Sequence, residues 1–460
     1  MNSWSKLILC LCCGTVSMGC RTSSDPAPAE TVYRTASMQT QVITESLPLD
    51  LVTEVSQETI ESVTEKAVFS ETKPAGWSST LAGLESVALG QHPAILASRQ
   101  QLAAAQGRYQ QAGLPPNPVL QYQSEEIGNE GSSGLHSVRV SQQFVTANKL
   151  GLAQQVAAQQ AARLRAEVRR TELQVLTELR IAFAKALIAQ RRVALANKIV
   201  DLSEQSVQSA ELLLKAQEIS KVALLQAQVE AEQARISADN ATTLLAANRR
   251  SLAAAVSLGE LPEGDLVGDL EQGLKERPWD ETLESIASQS PELLAAGSNL
   301  DRARWALRLA CAQVTPNVTA QVGAGVDTGS DDTYAILGVT VPLPIRNRNQ
   351  GNIRAARASV AAASSSIEKT RLDLEGRLAT AVGRYDTARR RYERLRDNVL
   401  PGAEETFELS KTAFDAGESN YLTLLTAQRT LVNTQLRILD ALDQTRQASA
   451  EIDGLLVTLP

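Results

Sequence analysis

The chain has 460 residues, a formal charge of −7, only 3% aromatic residues and two histidines, His92 and His136. Two histidines are too few for a His-built metal centre, and neither sits in a nucleophile motif. Without a basic excess, stacking aromatics, a catalytic carboxylate pair or a phosphate-cradling Gly loop, the expectation is no nucleic acid, no cofactor and no enzyme.

Residues 1–19 read as a secretion signal: Lys6, the apolar stretch Leu7–Val16, then Ser17-Met18-Gly19 before Cys20. Small residues ahead of a Cys resemble the bacterial lipoprotein signal, although Ser17 stands where Leu is usual. Cys20 is therefore the expected lipid attachment site; the alternative is an ordinary cleavage site with a chance Cys. Cleavage there leaves Cys20 and Cys311, so no internal disulfide is expected and Cys311 reads as a small core residue. Residues 20–79 are rich in Thr, Ser, Glu and Pro and read as a flexible tether. After the signal there is no apolar run of about 18 residues, so no helix is expected to cross a membrane.

From Thr80 the chain repeats itself at an offset of about 200 residues. Pro93 answers Pro291, Pro116-Asn117 answers Pro316-Asn317, and Gly151 answers Gly351. Lys215-Ala216-Gln217-Glu218 answers Asp415-Ala416-Gly417-Glu418. The reading is repeat 1 over 80–259, a connector over 260–280 and repeat 2 over 281–457. Each repeat predicts a helix (Leu81 to Gly113; Glu281 to Val314), two strands, a long helix (Ala147 to Ala216; Asn347 to Ala416) and a return helix. Pro401 predicts a kink in the second long helix. A helix of about 70 residues is roughly 105 Å long, far beyond a globular core. The short and return helices, laid end to end, would match it. Leu173, Leu176, Phe183 and Leu187 have the spacing of a face packed on neighbouring helices. The fold class is mainly α with a small β part.

The strands alternate with period two. Val318, Ala320, Val322, Ala324 and Val326 share one parity, while Thr319, Gln321 and Asp327 share the other. Strands of about 9–10 residues with this pattern suit a membrane barrel, or else a hairpin half-buried in a soluble domain. Four strands cannot close a barrel alone, so insertion would require several copies. Parity then assigns Gln121, Arg139, Thr319, Gln321 and Asp327 to a wet lumen, and Val322, Leu337 and Val339 to lipid. Glu125-Glu126 and Asp331-Asp332 read as solubilising loop charges. In Pro342–Gly351 two prolines close the strand and an Asn caps the helix, with Arg346 and Arg348 beside it. Arg389-Arg390-Arg391 with Glu393 and Arg394 reads as a solvated helix face. Gly417-Glu418-Ser419 is a helix–helix turn, matched by Gln217-Glu218-Ile219-Ser220.

These residues resemble the TolC family of outer-membrane efflux channels. The likeness is carried by the Pro-Asn corner, Val339–Pro344 with Asn347-Arg348-Asn349-Gln350-Gly351, and the tip Ala416–Ser419 followed by Leu422–Leu431. It covers roughly residues 80–457, and the Arg346–Gly351 run is most like the heavy-metal branch. The resemblance implies a homotrimer, with four strands per copy in a shared outer-membrane barrel and a coiled-coil helical tunnel across the periplasm. It implies a passive exporter of small substrates, metal cations foremost, working with a periplasmic adaptor and an inner-membrane pump of the resistance–nodulation–division type. Docking at the tips would involve Ala216, Gln217, Glu218, Ser220, Ala416, Gly417, Glu418 and Ser419. Thr423 and Thr426 stand at the tunnel entrance where relatives often carry acids. The alternatives are a channel for drugs or other organic compounds, a type I secretion channel, or a lipid-anchored periplasmic coiled-coil structural or adaptor protein.

Overall fold

The computed structural model describes residues 79–128, 134–262 and 264–455. All belong to the second of two units into which the chain divides, Phe69–Pro460. The signal, Cys20 and the expected tether lie outside the described residues. The elements are α1 (Leu81–Gln91), α2 (Pro93–Ala112), β1 (Val119–Glu125), β2 (Leu135–Phe144), α3 (Lys149–Lys215) and α4 (Lys221–Val256). The same order returns as α5 (Trp279–Gln289), α6 (Pro291–Ala312), β3 (Val318–Asp327), β4 (Asp332–Thr340), α7 (Gln350–Arg394), α8 (Leu400–Asp415) and α9 (Tyr421–Leu455).

Two prolines correct the expected single first helix of each repeat. His92 and Ser290 leave the helical region, with ψ of 125° and 122°, and Pro93 and Pro291 open the next helix. A residue before proline is pushed towards extended backbone, and proline's missing N–H costs nothing in a first helical turn. His92 then serves as a cap, its Nδ1 accepting from the Ala94 N–H at 3.2 Å. Pro401 acts differently. The chain stays helical past it but widens into a π turn over Leu395–Val399. Such a turn accommodates the ring and the lost donor without a full break.

The long helix α3 has 67 residues, roughly 100 Å. Its partners line up along it in order. Glu172 pairs with Arg99 of α2, and Arg180 with Glu85 of α1. Lys185 O then accepts from Asn248 of α4, and Glu204 pairs with Arg235 further along α4. The short and return helices are thus laid end to end on the long one. Repeat 2 copies this: Arg377 of α7 pairs with Glu292 of α6, and Arg384 with Glu451 of α9. Leu173, Leu176, Phe183 and Leu187 are all buried, as their spacing predicts.

The connector is strapped on rather than loose. Leu261, Leu266 and Leu270 join the main apolar cluster. Arg446 of α9 donates to the carbonyls of Leu270 and Gln272, both at 2.6 Å. Arg389 corrects the reading of its run as a solvated face. It is 7% exposed and pairs with Glu276 at 3.0 Å and Glu393 at 2.6 Å, while Arg390, Arg391 and Arg394 face water. Cys311, expected in the core, is only half-buried.

Candidate functional site

The four strands form one antiparallel sheet in the order β1-β2-β3-β4. Directly paired residues share a face, so the register sorts the side chains. One row reads Gln121–Arg139–Gly323–Ile336 and the next row of the same face Val119–Ser141–Gln321–Gly338. Thr319 and Asp327 fall on this face too. The sheet therefore gathers all five residues that parity assigns to a lumen. The opposite face carries Leu120–Val140–Val322–Leu337 and Tyr122–Val138–Ala324–Ala335.

Exposure runs against the usual rule. On the apolar face Leu337 is 82% exposed, Leu120 71% and Val339 70%. On the polar face Arg139, Thr319, Gln321 and Asp327 are half-buried and Ser137 is buried; Gln121 remains exposed. The strand glycines explain the crowding. Gly323, Gly325 and Gly338 all lie on the polar face. A Cβ at Gly323 would stand 2.4 Å from the Val138 carbonyl oxygen, and Cβ atoms at the other two would meet Tyr334 and Gln321. Glycine at such points lets strands approach on the inner side of a bend. The polar face is the crowded side of the sheet and the apolar face its bare side, the arrangement expected of a sheet curved towards its polar face.

The loop end of the polar face is acidic. Glu125, Asp327 and Asp332 share one row with Leu135. Glu125 and Asp332 are thus strand residues, while Glu126 and Asp331 take positive φ in the turns. His136 lies at the same end of the outer face, with its Nδ1 2.7 Å from Tyr122 Oη and 3.0 Å from Ser124 Oγ.

At the other end a polar lock joins sheet to helices. Lys149 Nζ donates to Thr315 O and Asn317 Oδ1, and Thr146 Oγ1 donates to Pro316 O at 2.6 Å. Burial lowers the Lys149 pKa. This lock ties the strand exit of repeat 1 to the strand start of repeat 2. The matching corner of repeat 2 differs from the expected Asn cap. Asn349 is in the left-handed region and its side chain makes no cap bond; it donates instead to Ala310 O at 2.8 Å. Asn347 Oδ1 accepts from the Asn349 N–H at 3.0 Å, an Asx turn. Arg346 and Arg348 are exposed.

The far ends of the helices form twin tips. Gln217 and Gly417 take φ of 65° and 75°. In each tip the following Glu donates back into the helix, Glu218 N to Leu213 O at 2.9 Å and Glu418 N to Ala413 O at 2.8 Å. These are left-handed helix ends that satisfy the last carbonyls. Ala216, Gln217, Glu218, Ser220, Ala416, Gly417 and Glu418 are exposed, and Ser419 is half-buried. The two tips are brought side by side by an apolar cluster of Ala210, Ala227, Tyr421 and Leu425. Burial raises the Tyr421 pKa, keeping the phenol neutral as it donates to Ser206 O at 3.4 Å. Thr423 and Thr426 are exposed on the first turns of α9, but their hydroxyls turn back onto Asn420 Oδ1 (3.0 Å) and Leu422 O (2.8 Å). That stripe presents methyl groups and no charge.

Among the described residues no helix is long and apolar enough to cross a membrane, and no His, Cys, Asp or Glu cluster has the makings of a metal centre. Residues 282–457 match the family model described as outer membrane efflux protein. The chain is 31% identical over 387 residues to the cobalt-zinc-cadmium resistance protein CzcC of Cupriavidus metallidurans, covering 82% of this chain and 90% of the relative. This chain belongs to the outer membrane efflux protein family. Within the family the likeness is to the heavy-metal branch, as the Arg346–Gly351 run leads one to expect. Solved structures agree on the fold. CusC superposes with a TM-score of 0.68 at 18% identity, over 84% of this chain and 95% of that one. The MtrE outer membrane channel of Neisseria gonorrhoeae in its open state gives 0.69 at 17% identity, over 84% and 93%. The family is one of channels and not of enzymes, and it places the chain at the outer membrane with a periplasmic extension.

Proposed function

We propose that three copies of this chain form one passive channel, each lending four strands to a twelve-stranded outer-membrane barrel and its helices to a periplasmic tunnel. The inside-out sheet carries this reading. Its outer face offers bare Leu and Val, its inner face is polar, and a four-stranded sheet leaves β1 and β4 with open edges. Lipid supplies no hydrogen bonds to such edges, so other copies must close them. The inner face then lines the lumen with Gln121, Arg139, Thr319, Gln321 and Asp327. Cys20, acylated after cleavage, adds a second anchor. The exposed twin tips are the docking surface for a periplasmic adaptor and an inner-membrane pump, with Thr423 and Thr426 forming an uncharged entrance. The cargo is small, and metal cations are the first choice because CzcC is named for cobalt, zinc and cadmium resistance.

The test is the behaviour of outer-membrane extract on a gel. A trimer that dissociates only on heating is expected; a soluble monomer would sink the reading. A deletion strain sensitised to cobalt, zinc and cadmium supports metal cargo, whereas sensitivity to organic compounds alone transfers the cargo to them. Deleting Gly417–Ser419 is expected to leave the trimer intact and abolish export. Retained resistance in that strain would remove the docking role.

A further inference from the structure

The charge pattern along the inner face of the sheet is more specific than a wet lining. Its loop end carries the row of Glu125, Asp327 and Asp332. Four residues further along β2, roughly 14 Å at about 3.4 Å per residue, stands Arg139. The remaining inner-face positions between that row and the helices are Gln, Ser, Thr, Gly, Val, Ile and Tyr. Among the described residues Arg139 is the one cation of the strands.

It makes no direct ion pair among the described residues, and one neutral amide, Gln123, stands between it and the nearest lip acid, donating from its Nε2 to Glu125. No carboxylate oxygen lies within ion-pair distance of its guanidinium among the described residues, although it shares the sheet with three acids. Its Nη2 donates to the neutral amide oxygen of Gln123. Its Nε is shut off from solvent and makes no hydrogen bond. Across the strand pair lies Gly323, so no side chain rises beside it there. Nε is closed to any ion in the lumen, but Nη1 makes no hydrogen bond among the described residues and is not shut off, and a half-buried guanidinium with such a spare donor attracts anions.

Resting on the barrel reading, we propose that Arg139 of each copy forms a positive belt in the barrel lumen, beneath an acidic outer lip, and that this belt sets the charge selectivity of the exit. Three fixed cations at one level of a narrow pore hold small anions and raise the energy of a bare cation passing that level. The acidic lip alone would make the exit cation-selective; the belt opposes it. A cation therefore crosses this level with its charge screened by anions held there. Arg139 is a specificity residue that acts on permeating ions, with no bond made or broken.

The experiment uses the full chain, purified as assembled channels and placed in planar lipid bilayers across a potassium chloride gradient. The reversal potential gives the cation-to-anion permeability ratio. Arg139→Gln is expected to raise that ratio by about twofold or more, and Arg139→Lys to stay near the original. Should Arg139→Gln fail to assemble, Gln123→Glu places a carboxylate where the neutral amide now sits and is expected to shift the ratio the same way. Conducting channels whose reversal potential is unmoved by Arg139→Gln, or by Gln123→Glu where that variant stands in, overturn the belt and leave the barrel reading intact. Absence of any conductance from the unaltered chain overturns the barrel reading and the belt with it.

Discussion

Leu179 in the helical shaft has none of its surface exposed, whereas Leu337 in the sheet is 82% exposed. The two residues have the same chemistry and both sit in regular elements. In the shaft the buried set is mostly Leu, Ala and Phe. The two charges that are buried among the described residues, Glu85 and Arg389, are both paired, as water demands. In the sheet the order is reversed: Leu and Val turn out, and Arg, Gln and Asp turn in. One chain follows one rule in its helices and the opposite rule in its strands. The proposed barrel accounts for this reversal as two solvents, with the change between them at the short corner that Lys149 locks.

The largest expected effect tests the water rule inside the shaft. Glu85 is 4% exposed and is held by Arg180 Nε at 2.6 Å. Arg180→Met leaves a buried carboxylate without its partner, which costs about 3–5 kcal/mol. The temperature at which the assembled form dissociates on a gel should fall sharply. A variant that melts with the original would show that water reaches this part of the shaft. Next comes the sheet. Leu337→Arg would change stability by only about 0.5 kcal/mol if that face met water. Facing lipid near the midplane, the same change costs about 2–4 kcal/mol. Loss of the variant from the outer-membrane fraction favours lipid, and normal recovery would place that face in water. The corner should respond less. Lys149→Met removes the donor to Thr315 O and Asn317 Oδ1, worth about 1–3 kcal/mol for charged hydrogen bonds. Protease cutting near residue 146 is expected to quicken, with cutting at the tips unchanged.

How much of this was legible in the sequence follows from which signals are local. Period two in Val318–Val326 and the matched lengths of long and paired helices are local patterns, and they predict the strands, the inner face and the end-to-end packing. The breaks at Pro93 and Pro291 carried a local signal that the expectation of one continuous helix passed over. Pro93 and Pro291 mark the repeat, yet each also forces the residue before it out of the helix. The burial of Arg389 was not legible, because Glu276 lies more than a hundred residues away and nothing local separates Arg389 from the exposed Arg390, Arg391 and Arg394. The partnerless Nε of Arg139 was equally hidden, since it depends on the cross-strand register that brings Gln123 and Gly323 beside it. The tip cluster was hidden for the same reason, as Ala210 and Tyr421 belong to different repeats.

The smallest expected effect uses the duplication as its own control. Gln217 and Gly417 occupy the same left-handed position in the two tips, at φ of 65° and 75°. A residue with a Cβ pays about 1–2 kcal/mol there, which glycine avoids. Open space surrounds Gly417, so an added Cβ meets no neighbour and only the backbone cost remains. Gly417→Ala should therefore destabilise its tip by about 1 kcal/mol, while Gln217→Gly should relieve its own by up to a similar amount. Hydrogen exchange at the last turns of α3 and α8 reads the two tips separately. Faster exchange in α8 for the first variant and slower exchange in α3 for the second are expected. If Gln217→Gly speeds exchange instead, the glutamine side chain is itself holding that tip, and the two ends differ in how they are stabilised despite sharing one backbone shape.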